Sequence, residues 1–491
     1  MKLMKESRRR QKVHRLSLFL ILLILALPLI SQERYRKSPP FPEPLKKLNL
    51  PHLESATLSN GLRLTVARRE NLPLVSMQLI ILAGESSSPE NLPGLATFTA
   101  NLLSKGAANL SSSDIEEAIE SIGGDFSTLT FLDYSIFTFS FLEEYLDEAL
   151  DVLGKMILQP TFLKREIENE KRRMLYELRE KQKNPEFVAK RQLMRLLFRN
   201  HLYQKAAYTE NITRNIRQKD VLAFYDKFYR PNNANLVLIG NLNLSVASKK
   251  VSHFLNTWKN KKLERSFVSP PEPSNKEKIC FIDLPQTRDS TIYIGNVIFP
   301  RNSQDFFSFI VLNQVLGGTT GSRLFMNLRE SKGYAYFAFS EVDLFRISGI
   351  FIVKAKVRPE VTYSSVKECL REIEKIIKEE ITSFEIEQAK SYLIGNFPLK
   401  IETFENFCFK ISEAEAFNLG REYWNKYYEN IMLINSEKVF EVAQKYPLLT
   451  PVVVIVADKD KVMHDLNNFK EVEVYNYKGE LQYIQTKGVE K

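Results

Sequence analysis

Five histidines are spread through the chain, at positions 14, 52, 201, 253 and 464, and no two stand at the spacing of metal ligands. A catalytic zinc takes about three protein ligands, so these residues give no zinc centre of their own. The three cysteines read no better. Cys280 and Cys408 lie in apolar segments and Cys369 on a helical stretch, none beside a histidine. All three are expected to act as small buried hydrophobes. The run Gly317-Gly318-Thr319-Thr320-Gly321 lacks the Gly-Lys-Ser/Thr ending of a phosphate loop, and it follows an apolar helix where a phosphate loop follows a strand. It is a flexible break between two helices. Gly317 and Gly318 either contact a peptide in a neighbouring cleft or simply join the helices. The stretch Lys367–Lys378 interleaves Glu with Lys and Arg and reads as a solvated helix face.

These residues sit in a chain of 491 residues, long enough for two large domains or three smaller ones. Hydrophobic residues make up 44% and charged residues 26%, which excludes a disordered chain. Three cysteines exclude a disulfide scaffold. Of the formal charge of +10, residues 1–15 supply +6 (seven Lys/Arg against Glu6), so the body is close to neutral and gives no case for nucleic acid. The basic tail runs into the charge-free, apolar stretch Leu16–Ile30. Basic residues followed by a short apolar run read as a secretory signal or an uncleaved anchor over residues 1–31. The body is then exported, periplasmic or held on the inner membrane facing outward. A proline-rich spacer over 32–50 follows.

Beyond the spacer one plan runs twice. Strands are expected in Leu62–Arg68 and Pro73–Ala83, helices near Leu92–Ser104 and from Ser113 (with Glu116 completing a capping box), and strands around Phe126–Thr130 and Ser135–Phe141. Long helices and the strand Asn235–Ile239 complete the half. The second half repeats this order: Ser135-Ile-Phe matches Gly349-Ile-Phe, Glu166-Ile-Glu matches Glu385-Ile-Glu, and Leu236-Val-Leu-Ile matches Val452-Val-Val-Ile, at separations of about 214, 219 and 216 residues. The expected fold is α+β: two duplicated domains, each a mostly antiparallel sheet covered by helices on one face. The boundaries are 51–260, a linker over 261–277 rich in proline, 278–480, and a tail over 481–491.

Within this plan, Gly94-Leu-Ala-Thr-Phe-Thr-Ala-Asn-Leu-Leu-Ser-Lys-Gly106 and Phe228-Tyr-Arg-Pro-Asn-Asn-Ala-Asn-Leu-Val-Leu-Ile-Gly240 resemble the insulinase, pitrilysin and mitochondrial processing peptidase family, in its small-subunit branch. The resemblance runs from about Thr57 to Asp458. It implies half of a clamshell. Where the family has Gly-Leu-Ala-His-Phe-Leu-Glu-His, Thr97 and Asn101 stand at the zinc-binding histidines and Ala100 at the general base. Glu177 stands at the third zinc ligand, and Glu170 at an acidic position two helical turns earlier. One remaining ligand carboxylate cannot hold zinc tightly and Ala100 cannot move a proton, so the resemblance implies no metal in this chain. The second half resembles the family differently. After Ser322-Arg323-Leu324, Arg329 and Tyr336 match the family's Arg and Tyr seven residues apart, with Gly333 between them as a helix stop. A guanidinium fork can hold a peptide carbonyl or carboxylate, and a phenol can donate to an oxyanion. Read without the family, Arg329 pairs with a nearby Glu and Tyr336 packs in a strand.

The resemblance therefore implies the non-zinc subunit of a heterodimeric zinc metallopeptidase. Arg329 and Tyr336 would clamp an extended peptide for a related subunit that carries His-x-x-Glu-His and the zinc. Membrane contact would run through the N-terminal segment alone. The alternative is a catalytically inactive scaffold or peptide-binding protein of the cell envelope.

Overall fold

In the computed structural model, β-branched and aromatic runs bounded by turn residues form the strands, and amphipathic segments form the helices. The structure describes residues 47–207, 214–264 and 268–486. The expected signal or anchor over 1–31 and most of the spacer lie outside these residues. Lys47–Lys491 form one compact unit.

Two sheets carry the fold. The first joins β1 (Leu53–Thr57), β2 (Arg63–Arg68), β3 (Leu74–Ile81), β6 (Asp125–Thr130), β7 (Ser135–Leu142) and β8 (Ala234–Gly240) in the order β1-β2-β8-β3-β7-β6. A separate two-stranded ribbon, β4 (Gly106–Ala107) and β5 (Leu110–Ser111), lies between them in sequence. The second sheet joins β9 (Lys278–Asp283), β10 (Ser290–Ile298), β11 (Ala335–Leu344), β12 (Gly349–Val357), β13 (Val452–Ala457), β14 (Glu471–Tyr475) and β15 (Leu481–Thr486) in the order β11-β12-β10-β13-β9-β14-β15. Five strands correspond one to one. β2 runs parallel to β8, which is antiparallel to β3, then β7, then β6. β9, β13, β10, β12 and β11 repeat that order and those directions. Beyond these five strands the two large sheets differ at one margin. There β1 is antiparallel to β2, whereas β14 is parallel to β9 and turns back into β15. Leu481–Thr486, assigned to a tail from sequence, is thus an edge strand.

The α+β duplication holds, and each half has its own helix layer. In the first, Leu64, Val66, Met77, Leu79, Phe137 and Phe139 face Phe98, Ile115 and Leu150 from the helices Leu95–Leu102, Ser112–Ser121 and Leu146–Leu158. Each fully buried side chain of this size contributes roughly 1.5–3 kcal/mol. The Ser112–Ser121 helix starts one residue before its expected beginning, and its cap lies two residues earlier. Its capping box is Ser111 with Asp114, in place of Ser113 with Glu116. Ser111 ends β5, so the chain enters the helix directly from the ribbon.

The second faces of the sheets are covered by an exchange. The helix Pro185–Leu197, from the first half, lays Val188, Leu193 and Leu197 on Cys280, Ile282, Tyr293, Ile350, Ile352 and Val454 of the second sheet. The helix Phe404–Ala416, from the second half, crosses β3 and β8. Its Cys408 thiol points at the carbonyls of Ser76 and Val237 (3.7 and 3.8 Å), and its Glu415 accepts from Thr65 at 3.0 Å. The two β-hairpin turns that correspond under the repeat also meet. Asp133, between β6 and β7, accepts from the Tyr203 hydroxyl at 2.9 Å and from the Arg346 backbone N–H at 2.7 Å, between β11 and β12. The Tyr203 hydroxyl in turn accepts from the Ile347 N–H at 3.0 Å.

Candidate functional site

The helix Leu95–Leu102 places three of the candidate positions. Its first turn is capped from outside by Glu85, a buried carboxylate. Glu85 accepts from the backbone N–H groups of Gly94 (2.9 Å) and Thr97 (3.0 Å), from Ser88 Oγ (3.2 Å) and from the Thr97 hydroxyl. Burial pushes its carboxyl up, and these donors pull it back down. The Thr97 side chain is therefore committed to the helix cap. Ala100 is buried in the core. Asn101 turns its amide to Glu170, donating to Oε1 at 2.8 Å.

Glu170 and Glu177 lie on the helix Lys164–Lys181 with Arg173 between them. Arg173 grips Glu170 with two N–H groups, Nε to Oε2 at 2.7 Å and Nη2 to Oε1 at 2.5 Å, and also pairs with Glu177. Glu170 is 3% exposed and Glu177 is 42% exposed at the side chain. The hydrogen bond to Glu170 leads in holding the Arg173 guanidinium above its ordinary pKa. A zinc ion does not fit this set. Both oxygens of Glu170 already accept, Glu177 is paired, the Asn101 amide presents N–H, and Thr97 is engaged elsewhere. A cation would first have to displace Arg173. Among the described residues no group of three or more His, Cys, Asp or Glu could hold a metal. The cluster borders an open cavity of about 410 Å³, walled by Asn101, Glu170, Arg173, Lys105 and the Asp125–Thr128 stretch of edge strand β6. Neither Arg173 nor Glu85 was singled out from sequence. The spacing Glu170-x-x-Arg173-x-x-x-Glu177 was the available signal, since such residues share a helix face.

The second half places the other candidates. Gly317 ends the helix Phe306–Gly317 at a close approach to β11, where a Cβ would lie 2.3 Å from the Ser340 nitrogen. Gly318 follows against Gln314. Gly317 lets the helix end seat on the sheet, and Gly318 leaves room for the Gln314 side chain. Arg323 then forms a fork with Glu385, Nε to Oε1 at 2.6 Å and Nη2 to Oε2 at 2.9 Å. Arg329 sits in a wide π-helical turn, Met326–Ser331, and its Nη1 donates to the Ala335 carbonyl at 3.1 Å. Gly333, at φ +62°, turns the chain into β11. There the ladder pairs Ala335 with Val357 and Phe337 with Lys356, leaving Tyr336 as the extra residue of a bulge. A bulge re-aims a side chain. Tyr336 is 52% exposed, and its hydroxyl has no hydrogen-bond partner among the described residues. It opens on a cavity of about 670 Å³ with Arg288, Lys356 and Arg358. The Asn101–Glu170 cluster and the Tyr336 side chain line separate cavities. The three cysteines are buried; burial pushes the Cys369 and Cys408 thiols up to about 12, so none is a thiolate.

The family model described as insulinase (peptidase family M16) matches residues 64–210. The model described as the peptidase M16 inactive domain matches residues 215–393. The chain is 23% identical over 391 residues to the "Uncharacterized zinc protease YmxG" of Bacillus subtilis, covering 79% of this chain and 94% of that one. It is 26% identical over 348 residues to the "Non-peptidase homolog YmxG" of Helicobacter pylori, covering 70% and 80%. Two solved structures share the fold. A peptidase M16 inactive domain from Pseudomonas fluorescens superposes with a TM-score of 0.77 at 22% identity, over 82% of this chain and 97% of that one. A protease from Helicobacter pylori superposes with a TM-score of 0.79 at 19% identity, over 83% and 100%.

Proposed function

Since the chain belongs to the insulinase (M16) peptidase family, we propose that it is the non-zinc, substrate-side subunit of a heterodimeric zinc metallopeptidase. The observation that carries this reading is the opposite treatment of the two halves. In the first, Arg173 consumes the carboxylates that a metal would need. In the second, the π-helical turn carries Arg329 and the bulge lifts Tyr336 out of the regular ladder, and the phenol has no hydrogen-bond partner among the described residues. Irregular turns of this kind recur where side chains are aimed at ligands. An extended peptide lies along an exposed sheet edge such as β6 and gains main-chain hydrogen bonds there. A related subunit with His-x-x-Glu-His supplies the zinc and the base. Arg329 orients a peptide carbonyl, and Tyr336 donates to the oxygen that becomes negative. The basic and apolar residues 1–31 put this reaction on the far side of a membrane from the cytoplasm.

The test is purification of the tagged chain with whatever binds it from its native envelope, followed by zinc analysis and cleavage of an unstructured peptide. Tyr336→Phe is expected to lower kcat about 100-fold with little change in KM, the loss seen for one oxyanion donor. Arg329→Ala is expected to raise KM. If the chain elutes without a zinc-bearing relative and without cleavage, the inactive peptide-binding or scaffold reading replaces this one.

A further inference from the structure

Three neighbouring strand ends converge beside Tyr336. β10 begins at Ser290, opposite Val357 of β12, so Arg288 and Asp289 project past the end of the ladder alongside Arg358. Tyr336 is bulged out at the same end, where Ala335 of β11 pairs with Val357. Arg288, Lys356, Arg358 and Tyr336 line the 670 Å³ cavity together with Asp289 and Glu360. A second cavity of about 490 Å³ shares Arg288, Asp289 and Lys356 and adds Lys183. The charges in this groove are unequally matched. Lys356 is held by Asp289 at 3.5 Å, and Lys183 by Glu180 at 2.7 Å. Arg288 and Arg358 have no carboxylate partner among the described residues, and the Arg358 side chain makes only a long contact of 3.4 Å to the Gly333 carbonyl. Two guanidinium groups thus face one open groove. Glu360 is the one carboxylate in it that no cation has claimed.

We propose that this groove is a carboxylate-binding subsite, which selects peptides that present a carboxylate, on a side chain or at the C-terminus, beside Tyr336. The ligand group is an acidic side chain or the C-terminal carboxylate of the peptide. Arg288 and Arg358 hold it by charge-assisted hydrogen bonds, and Glu360 competes with it for them. The inference rests on the substrate-side reading of Tyr336, because the groove opens at that residue.

The test is fluorescence anisotropy of the intact chain with three short unstructured peptides: one rich in Glu with an amidated C-terminus, its Gln counterpart amidated, and the Gln counterpart with a free C-terminus. At low salt the Glu peptide, the free-carboxylate peptide or both are expected to bind about tenfold tighter than the amidated Gln peptide, as for one charged hydrogen-bonded contact. Which of the two shows the gain identifies the carboxylate. The gain is expected to shrink with added salt, to vanish in the Arg288→Gln/Arg358→Gln variant, and to grow in Glu360→Gln. These positions are at the surface, and circular dichroism checks the fold of each variant. Equal binding of all three peptides, no binding of any, or a preference that survives the double substitution overturns the inference. The subunit reading is judged separately, by the effect of Tyr336→Phe on cleavage by the purified complex, and can stand when the subsite fails.

Discussion

Arg173 is the residue that decides the first half. Its guanidinium lies between a buried and a half-exposed carboxylate, and removing it strands the buried one. Arg173→Ala leaves Glu170 with Asn101 as its remaining donor. An uncompensated buried carboxylate is costly, though Arg173 is itself 45% exposed, so a loss of about 2 kcal/mol is expected, read from the urea midpoint. Glu170→Gln combined with Arg173→Ala is expected to recover most of it, because the charge is then gone. A variant as stable as the parent would show that the pair is solvated after all. At this scale the sequence was partly legible. The residue types at positions 97, 100, 101, 170 and 177 could be read directly, and so could the spacing of Arg329 and Tyr336. The engagement of Thr97 by Glu85 could not, because twelve residues and a turn separate them in sequence. Nor could the bulge at Tyr336, since the continuous apolar run Ala335-Tyr336-Phe337-Ala338 offers no alternation for an extra residue to break.

Among elements, the Arg323–Glu385 fork ties the turn that begins at Ser322 to the helix Ser383–Asn396. Glu385 is also the acidic member of a capping box with Thr382. The hydrogen bond from Arg323 leads in lowering its pKa from an ordinary 4.5 to about 2. A depressed carboxyl pKa stabilises the fold above the unfolded value and loses that contribution as pH falls toward the folded value. Glu385→Gln is thus expected to cost stability at pH 7, discounted to about 1–2 kcal/mol for partial exposure, and nearly nothing near pH 2. Parallel urea titrations at the two pH values check it; an equal cost at both would assign the effect to packing alone. The duplication was open to reading from matched segments at a constant offset, but the order of the strands across each sheet was not. The capping box was displaced because two Ser-x-x-acid frames overlap there, Ser111 with Asp114 and Ser113 with Glu116. Only the ribbon end at Ser111 chooses between them.

Over the whole molecule, the exchanged helices set cooperativity. The periodicity of Pro185–Leu197 and Phe404–Ala416 announces an apolar face but not the sheet that receives it. The receiving face of the first sheet, with Thr65, Ser76 and Gln78, carries the alternation of a solvent-facing surface. That is why the exchange was not legible. Leu193 is fully buried on the second sheet although it belongs to the first half. Leu193→Ala is expected to cost about 2–4 kcal/mol and to lower the unfolding of both sheets together, as one shifted calorimetric peak. Two separated peaks, with only one displaced, would mean that the halves melt independently.

The covalent connection between the halves is mostly exposed and, in its described residues 259–264 and 268–277, free of helix and strand. Each half nevertheless holds a helix of the other against its sheet. A protease that cut the backbone there would release no fragment. The two pieces would keep each other's second face covered, travel as one particle and come apart only on denaturation, so the chain can be nicked without being divided.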